Sequence, residues 1–301
     1  MNFLKLSGLM GMQKGLIKDS TNSHYLIPNS EGIIFNKKVF IDKNGFRIPT
    51  RDFQYVGNKN IYIIGDSTTF GNGVMEEETF IGLMRKNFSK INFYNSAVPG
   101  YQIKHYRENL KEIKKFKNID KIFYFFTLND VFEISNIVKA NQEVKKIEED
   151  AFKLKNINLI NYINSFLRNK SYLYMFIKGQ FTDPSKRWYA NINNFYQNYN
   201  ISLLDKYLNE LIYASDLINA ELFVVLLPYE YQTRNCNSGD LLPQKKIGEA
   251  FSNFTINFKD YTNYFCNTKK PKDNFYKFDP MHLSEKGHKL VYDLIINEIK
   301  F

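Results

Sequence analysis

A serine attacks an acyl carbonyl only when a neighbouring base takes its proton, and a carboxylate normally orients that base. The stretch from Asn60 to Gly73, Asn-Ile-Tyr-Ile-Ile-Gly-Asp-Ser-Thr-Thr-Phe-Gly-Asn-Gly, presents such a serine. Ile61, Tyr62, Ile63 and Ile64 form a strand-forming run that stops at Gly65-Asp66-Ser67, with Gly71 and Gly73 close behind. Ser67 is therefore expected at the carboxyl end of a buried strand, where open α/β sheets place their crevices.

The chain has four histidines that could serve as the base: His24, His105, His282 and His288. In Phe-Asp-Pro-Met-His-Leu-Ser, Asp279 precedes His282 by one turn, so a single local element can carry orienter and base together. That element falls between the last strand and the last helix, the end of the sheet that faces Ser67. His105 follows the second strand without an evident carboxylate partner, His24 lies in the N-terminal segment, and His288 sits beside Lys289 in the last helix, where it is expected to face solvent. Asp66 and Asp130 are read as structural, capping or shaping their turns. The chain carries neither CxxC spacing nor a Cys/His ligand pattern, so no metal is expected, and the mechanism calls for no organic cofactor. Cys236 and Cys266 are expected as free thiols in a reducing compartment.

Strands alternating with helices must position these groups. Asn92 to Val98 reads as a second strand, closed by Pro99-Gly100. Ile122 to Phe126 is a third, almost wholly apolar and so buried on both faces, and it ends at Thr127-Leu128-Asn129-Asp130. Leu222 to Leu227 is a fourth, and Phe254 to Phe258 a fifth. Between them, Phe80 to Phe88, Ile103 to Phe116 and Leu203 to Ile212 carry apolar residues at helical spacing. The last helix starts near Ser284, a plausible N-cap. The alternation implies an α/β fold with a parallel sheet and right-handed crossovers. In each early unit a candidate residue falls just past a strand: Ser67, Gly100, Asn129. Upstream, Gly32 to Phe35 and Lys38 to Ile41 read as a small antiparallel element, followed by the turn Asp42-Lys43-Asn44-Gly45. Residues 131–200 break the rhythm with a charge-rich part followed by aromatics at mixed spacing. A lid over the crevice, helices on the flank of the sheet, and an interfacial membrane contact are all open readings.

Taken together and in order, these pieces resemble the SGNH/GDSL hydrolase family. Its GDSxxxG block is matched by Gly65-Asp66-Ser67 through Gly71, its second block by Gly100 in Ala-Val-Pro-Gly-Tyr, its Gly-x-Asn-Asp block by Asn129-Asp130, and its Asp-x-x-His block by Asp279 and His282. Thr127 replaces the glycine of the third block, and Ala97 stands where relatives often carry a second glycine. Glu76-Glu-Glu-Thr-Phe80, Asn44-Gly-Phe-Arg47 and Leu226-Leu-Pro-Tyr229 resemble a bacterial subgroup associated with surface-polysaccharide modification.

The resemblance implies a three-layer sandwich around a mostly parallel five-stranded sheet of flavodoxin-like order. An N-terminal extension over 1–55 would precede a hydrolase domain over 56–301, with a helical insertion at about 131–200. It implies a catalytic set of Ser67, Asp279 and His282, and an oxyanion hole from the N–H groups of Ser67 and Gly100 and the side chain of Asn129.

The composition agrees with a large core, with 44% hydrophobic and 16% aromatic residues in 301. The formal charge of +10 comes from scattered lysines, not a dense basic block, so a nucleic-acid partner is not expected. No run reaches the length of a membrane span and Met1 to Ile17 lacks a clear signal-peptide core, so the chain is expected in the cytoplasm. The function expected is a serine esterase on small acyl esters, acetyl on a carbohydrate foremost. An O-acyltransferase with the same residues, a lipid or thioester hydrolase, and a non-catalytic carbohydrate-binding protein are the alternatives. A flavodoxin-like cofactor binder would share the sheet without needing Asp279 and His282.

Overall fold

The computed structural model describes residues 15–20, 23–113, 116, 118–132, 183–198, 202–234, 236, 240–277 and 279–298. Two hairpins open this region. β1 (Ile17–Asp19) pairs antiparallel with β2 (His24–Leu26). β3 (Glu31–Ile34) pairs antiparallel with β4 (Lys37–Ile41), which then pairs with the short β5 (Arg47–Ile48). Ile34 faces Lys37 in the register, so Phe35 and Asn36 alone make the connection. Both take the left-handed backbone, with φ of 46° and 61°. That is the geometry of a type I′ turn, which favours Asn and Gly. Phe35 goes against this preference at a local cost of about 1 to 2 kcal/mol.

The strand-helix units follow. β6 (Lys59–Gly65) leads into the single turn α1 (Ser67–Phe70), then α2 (Phe80–Asn87), β7 (Ile91–Asn95), α3 (Ile103–Ile113) and β8 (Lys121–Phe126). After residue 183 come α4 (Pro184–Asn198), α5 (Ser202–Leu217), β9 (Glu221–Leu226), α6 (Glu230–Arg234), α7 (Leu242–Ser252), β10 (Asn257–Asp260), α8 (Thr262–Cys266) and α9 (Glu285–Glu298).

β10, β9, β8, β6 and β7 lie side by side in that order, and every pair among them is parallel. Counted from β6, this is the flavodoxin-like order, with the switch point between β6 and β8. The sheet does not stop at the five strands expected. β5 pairs antiparallel with β7 through Arg47 and Asn95, and β4 and β3 continue the same sheet to eight strands. β5, backed by β4 and β3, thus covers an edge that would otherwise leave the β7 backbone unpaired.

Side chains of the central strands alternate between two cores. Tyr62, Ile64, Ile122, Tyr124, Phe126, Val224 and Leu226 lie on one face, packed with Tyr106, Leu110, Leu208, Ile247 and Phe251 from α3, α5 and α7. Ile61, Ile63, Phe123, Phe125, Phe223 and Val225 lie on the other, packed with Phe80, Met84, Val291 and Ile295 from α2 and α9. Both faces are covered, which is why β6 and β8 read as continuous apolar runs. At roughly 25 cal/mol per Å² of apolar area, this double burial is the main stabilisation of the sheet.

Four further expectations change. The fifth strand is β10, over Asn257–Asp260 and not Phe254 to Phe258. β7 ends at Asn95 and not at Val98, because Asn95 Oδ1 accepts the Ala97 N–H and turns the chain. Cys236 and Cys266 are disulfide-bonded with Cα atoms 6.1 Å apart, not free thiols. His288 is fully buried, not solvent-facing. Its imidazole lies over Phe80, its Nδ1 accepts the Phe80 N–H, and burial holds its pKa down to about 3. The expected insertion falls mostly on residues 133–182, outside the described residues; the described part of it includes α4. No described helix is long and apolar enough to cross a membrane.

Candidate active site

The turn that carries Ser67 is set by caps at both ends. Asp66 follows β6 in extended backbone and its Oδ1 accepts the Thr68 N–H at 2.8 Å, which starts α1. Gly71 closes α1 in the left-handed region, φ 86°, and its N–H returns to Ser67 O. A Cβ at Gly71 would press on Thr79 and on the Arg47 guanidinium. Ser67 is thereby held at the end of β6, buried but for 6% of its surface.

The second half of the site comes from the segment between β10 and α9. Tyr276 N–H donates to His282 O and Asp279 N–H to Tyr276 O, both at 3.0 Å, closing a tight loop. Glu230 at the start of α6 holds it from outside by donating its N–H to Pro280 O at 2.9 Å. Within the loop Asp279 Oδ1 accepts the N–H groups of Met281 and His282 at 2.9 and 2.8 Å. Its other oxygen, Oδ2, lies 2.7 Å from His282 Nδ1. The opposite ring nitrogen, Nε2, lies 2.8 Å from Ser67 Oγ. With Asp279 ionised, Nδ1 carries the proton and Nε2 is left as an acceptor facing the hydroxyl.

The electrostatics follow from burial and pairing. Burial alone would pull the His282 imidazolium down, but the charge and hydrogen bond of Asp279 outweigh it and hold the pKa above the ordinary imidazole value. Burial likewise opposes ionisation of Asp279, yet His282 and the two backbone N–H groups keep its carboxyl below the usual range.

Gly100 and Asn129 come from the loops after β7 and β8. The Gly100 loop is tied to β6 by the Val98 N–H, which donates to Gly65 O at 3.1 Å. Gly100 has φ 82°, a backbone state suited to glycine. His24 on β2 packs against it, with Nε2 donating to Pro99 O at 2.7 Å. His105 is engaged locally: its Nδ1 accepts the Gln102 N–H at 2.9 Å, and burial lowers its pKa to about 4.

The Asn129 amide is oriented by its neighbours. Tyr229 OH donates to Asn129 Oδ1 at 2.5 Å, and Thr127 Oγ1 lies 2.9 Å from the same oxygen. The amide nitrogen sits 3.4 Å from Asp66 Oδ2; burial raises the Asp66 carboxyl, and when ionised its oxygen can only accept. A flipped amide would set oxygen against carboxylate, so the N–H₂ group is held on the Asp66 side. Thr127 departs from the glycine of the family motif, and its hydroxyl also reaches Asp66 Oδ2 at 2.9 Å and Asp130 Oδ1 at 3.2 Å. Burial, reinforced by the Asp66 charge, pushes the Asp130 carboxyl well above the carboxylate range. Neutral Asp130 can donate to Thr127, and Tyr124 OH donates to its other oxygen at 2.7 Å. Asp66 and Asp130 thus shape the turn and the support beneath Asn129.

Arg47 closes the Asn44-Gly-Phe-Arg47 motif. It is fully buried, and burial lowers its pKa to about 10. Its guanidinium stacks on Phe70 and donates to the carbonyls of Phe70, Gly71 and Val74 at 2.5, 2.7 and 2.6 Å. Those carbonyls belong to the segment that follows Ser67. A buried Glu76–Arg85 ion pair lies beside it, and Arg85 also donates to Arg47 O at 3.1 Å. An arginine inside an otherwise apolar strand is the signal that marks it, because such a charge must find fixed partners. No cluster of ligating side chains among the described residues could hold a metal ion.

No protein-family model matches the chain, and no curated protein does either. Solved structures similar to it include a member of the lipolytic protein G-D-S-L family from Veillonella parvula DSM 2008, at 13% identity and TM-score 0.46, covering 79% of this chain and 97% of that one. Another is TesA, at 9% identity and TM-score 0.48, covering 80% and 98%. A third is Axe2, an acetylxylan esterase from Geobacillus stearothermophilus, at 13% identity and TM-score 0.46, covering 83% and 97%. Identities this low leave function to be argued from the site itself.

Proposed function

We propose that the protein is a serine esterase of the SGNH/GDSL type that cleaves small acyl esters, acetyl foremost, from a carbohydrate. The observation that carries the reading is the relay from Asp279 to His282 to Ser67, with contacts of 2.7 and 2.8 Å. It joins a hydroxyl at the sheet's switch point to a base more than two hundred residues away, and a structural serine has no need of it.

In this reading Ser67 Oγ attacks the ester carbonyl as its proton passes to His282 Nε2. The oxyanion that forms meets the N–H groups of Ser67 and Gly100 and the free amide proton of Asn129. The tetrahedral intermediate then expels the alcohol, which takes the proton from His282. Water then attacks the carbonyl of the acyl-Ser67 ester and gives a proton to the same nitrogen. The second tetrahedral intermediate breaks its bond to Ser67 Oγ, which takes that proton back from His282 as the acid leaves. Asp279 holds the tautomer and stabilises the imidazolium throughout. A sugar hydroxyl in place of water would make the protein an O-acyltransferase with the same residues, a difference that product analysis with and without an acceptor sugar reads out.

The test is Ser67→Ala assayed on para-nitrophenyl acetate and on acetylated sugars, together with fluorophosphonate labelling of both proteins. Wild type is expected to turn over and label. The variant is expected to do neither while keeping its melting temperature, a loss on the order of 10⁶-fold in kcat. Undiminished turnover by the variant would refute Ser67 as nucleophile.

A further inference from the structure

Phe35 is the residue in the N-terminal hairpin that the local geometry least explains. The two-residue turn between β3 and β4 asks for residues that tolerate positive φ, and Phe35, with φ 46°, fills the first position. Its ring does not go into a core; 41% of the residue is exposed. The ring centroid lies instead 6.1 Å from that of the His282 imidazole, inclined at 50°. The turn is held over this spot by the β3–β4 register and by Lys37, whose ammonium lies 3.6 Å from Glu285 at the start of α9. Strain kept next to a reacting group points to a use for the side chain.

The chemistry of the site says which part of a substrate would meet this ring. Ser67, Gly100 and Asn129 take the carbonyl oxygen, whereas the departing alcohol must reach His282 to collect its proton. A side chain packed beside His282 therefore borders the alcohol and not the acyl group. The negative face of an aromatic ring attracts polarised C–H groups. Exposed Asn36 and half-buried Lys37 flank the ring with polar atoms. An open aromatic face with a polar border fits an alcohol that is apolar on one face and hydroxylated around its rim, as a pyranose is.

Resting on the esterase reading, we propose that Phe35 is the platform on which the sugar ring of the leaving alcohol stacks, and so a specificity-determining residue. The experiment compares wild type, Phe35→Gly and Phe35→Trp as full-length proteins. Glycine suits the left-handed turn, so the hairpin is expected to fold without the ring. Three esters are used: peracetylated methyl glucoside, ethyl acetate and octyl acetate. Phe35→Gly is expected to lose about tenfold in kcat/KM on the glucoside, mostly through KM. It is expected to keep its rate on ethyl acetate and its fluorophosphonate labelling of Ser67, and Phe35→Trp should retain the glucoside activity. An equal loss on all three esters, no loss on any, or a loss confined to octyl acetate overturns the proposal. So does a wild type that cleaves ethyl acetate but not the glucoside. If wild type labels and the Phe35 variants show no sugar dependence, this inference falls and the esterase reading stands. If wild type neither labels nor turns over, both fall.

Discussion

The eight-stranded sheet has two halves built on different terms. Of the five parallel strands, β6, β7, β8 and β9 are largely buried and only the edge strand β10 is open, and the groups the proposed chemistry uses stand past their carboxyl ends. The three antiparallel strands β3 to β5 present no reacting group. They instead supply the side chains that hold or border the site: Arg47 on the Ser67 turn and Phe35 beside His282. The hairpin of β1 and β2, outside this sheet, does likewise with His24 behind Gly100. In the proposed reading one half carries reactivity and the other stability and fit, so substitutions in the two should separate into different readouts.

The largest effect on that division is expected at Arg47. Arg47→Met takes the guanidinium from the carbonyls of Phe70 and Val74, at roughly 1 to 3 kcal/mol each before relaxation, while Gly71 O keeps the Val74 N–H. A stability loss of about 3 kcal/mol or more is expected, read as a lower urea midpoint. Arg47→Lys should recover only part of it, because one ammonium cannot match the guanidinium fork. A full activity loss with an unchanged midpoint would break the comparison and put Arg47 in the chemistry.

In the parallel half the expected split is opposite. Asn129→Ala should lower kcat by about 10²- to 10³-fold, or ~2.7 to 4 kcal/mol of barrier, with KM nearly unchanged. Tyr229→Phe, which removes one of the two hydroxyls at the amide oxygen of Asn129 and leaves Thr127 in place, should cost far less, about 1 kcal/mol. If Tyr229→Phe matched Asn129→Ala, orientation of the amide would be the whole of its contribution.

The smallest and most diagnostic effect is on the pH profile. Protonated His282 cannot accept the Ser67 proton, so kcat/KM should fall as pH drops through a pKa above the ordinary imidazole value. Asp279→Asn removes the charge that raises it, so any residual activity should show its acid limb at lower pH. The stability term has the other sense. A raised histidine pKa stabilises the fold below the unfolded value and loses that contribution as pH rises through the folded one. His288, held down to about 3, works against it: its contribution is present at neutral pH and is lost as pH falls from the unfolded value toward 3. His288→Leu should flatten that acid loss without touching the kinetic limb.

Much of this was legible in the residues alone. The apolar run Ile61 to Ile64 ending in Gly65-Asp66-Ser67 marks a strand and its crevice, because double burial demands continuous apolar side chains and a tight turn demands glycine. Asp279 and His282 announce a local pair through their spacing. What the residues could not reveal depends on contacts between distant segments. The addition of β5 to β7 at the sheet edge, the Cys236–Cys266 bond and the burial of His288 under Phe80 each join parts of the chain with no periodicity in common. The same holds for the Asn129 amide, whose direction is set by Tyr229 from β9's end and Asp66 from β6's end. Local pattern dictates which elements form, because periodicity and turn chemistry act over a few residues. Which charge is buried, and which proton points where, was decided only when packing brought those elements to one end of one sheet.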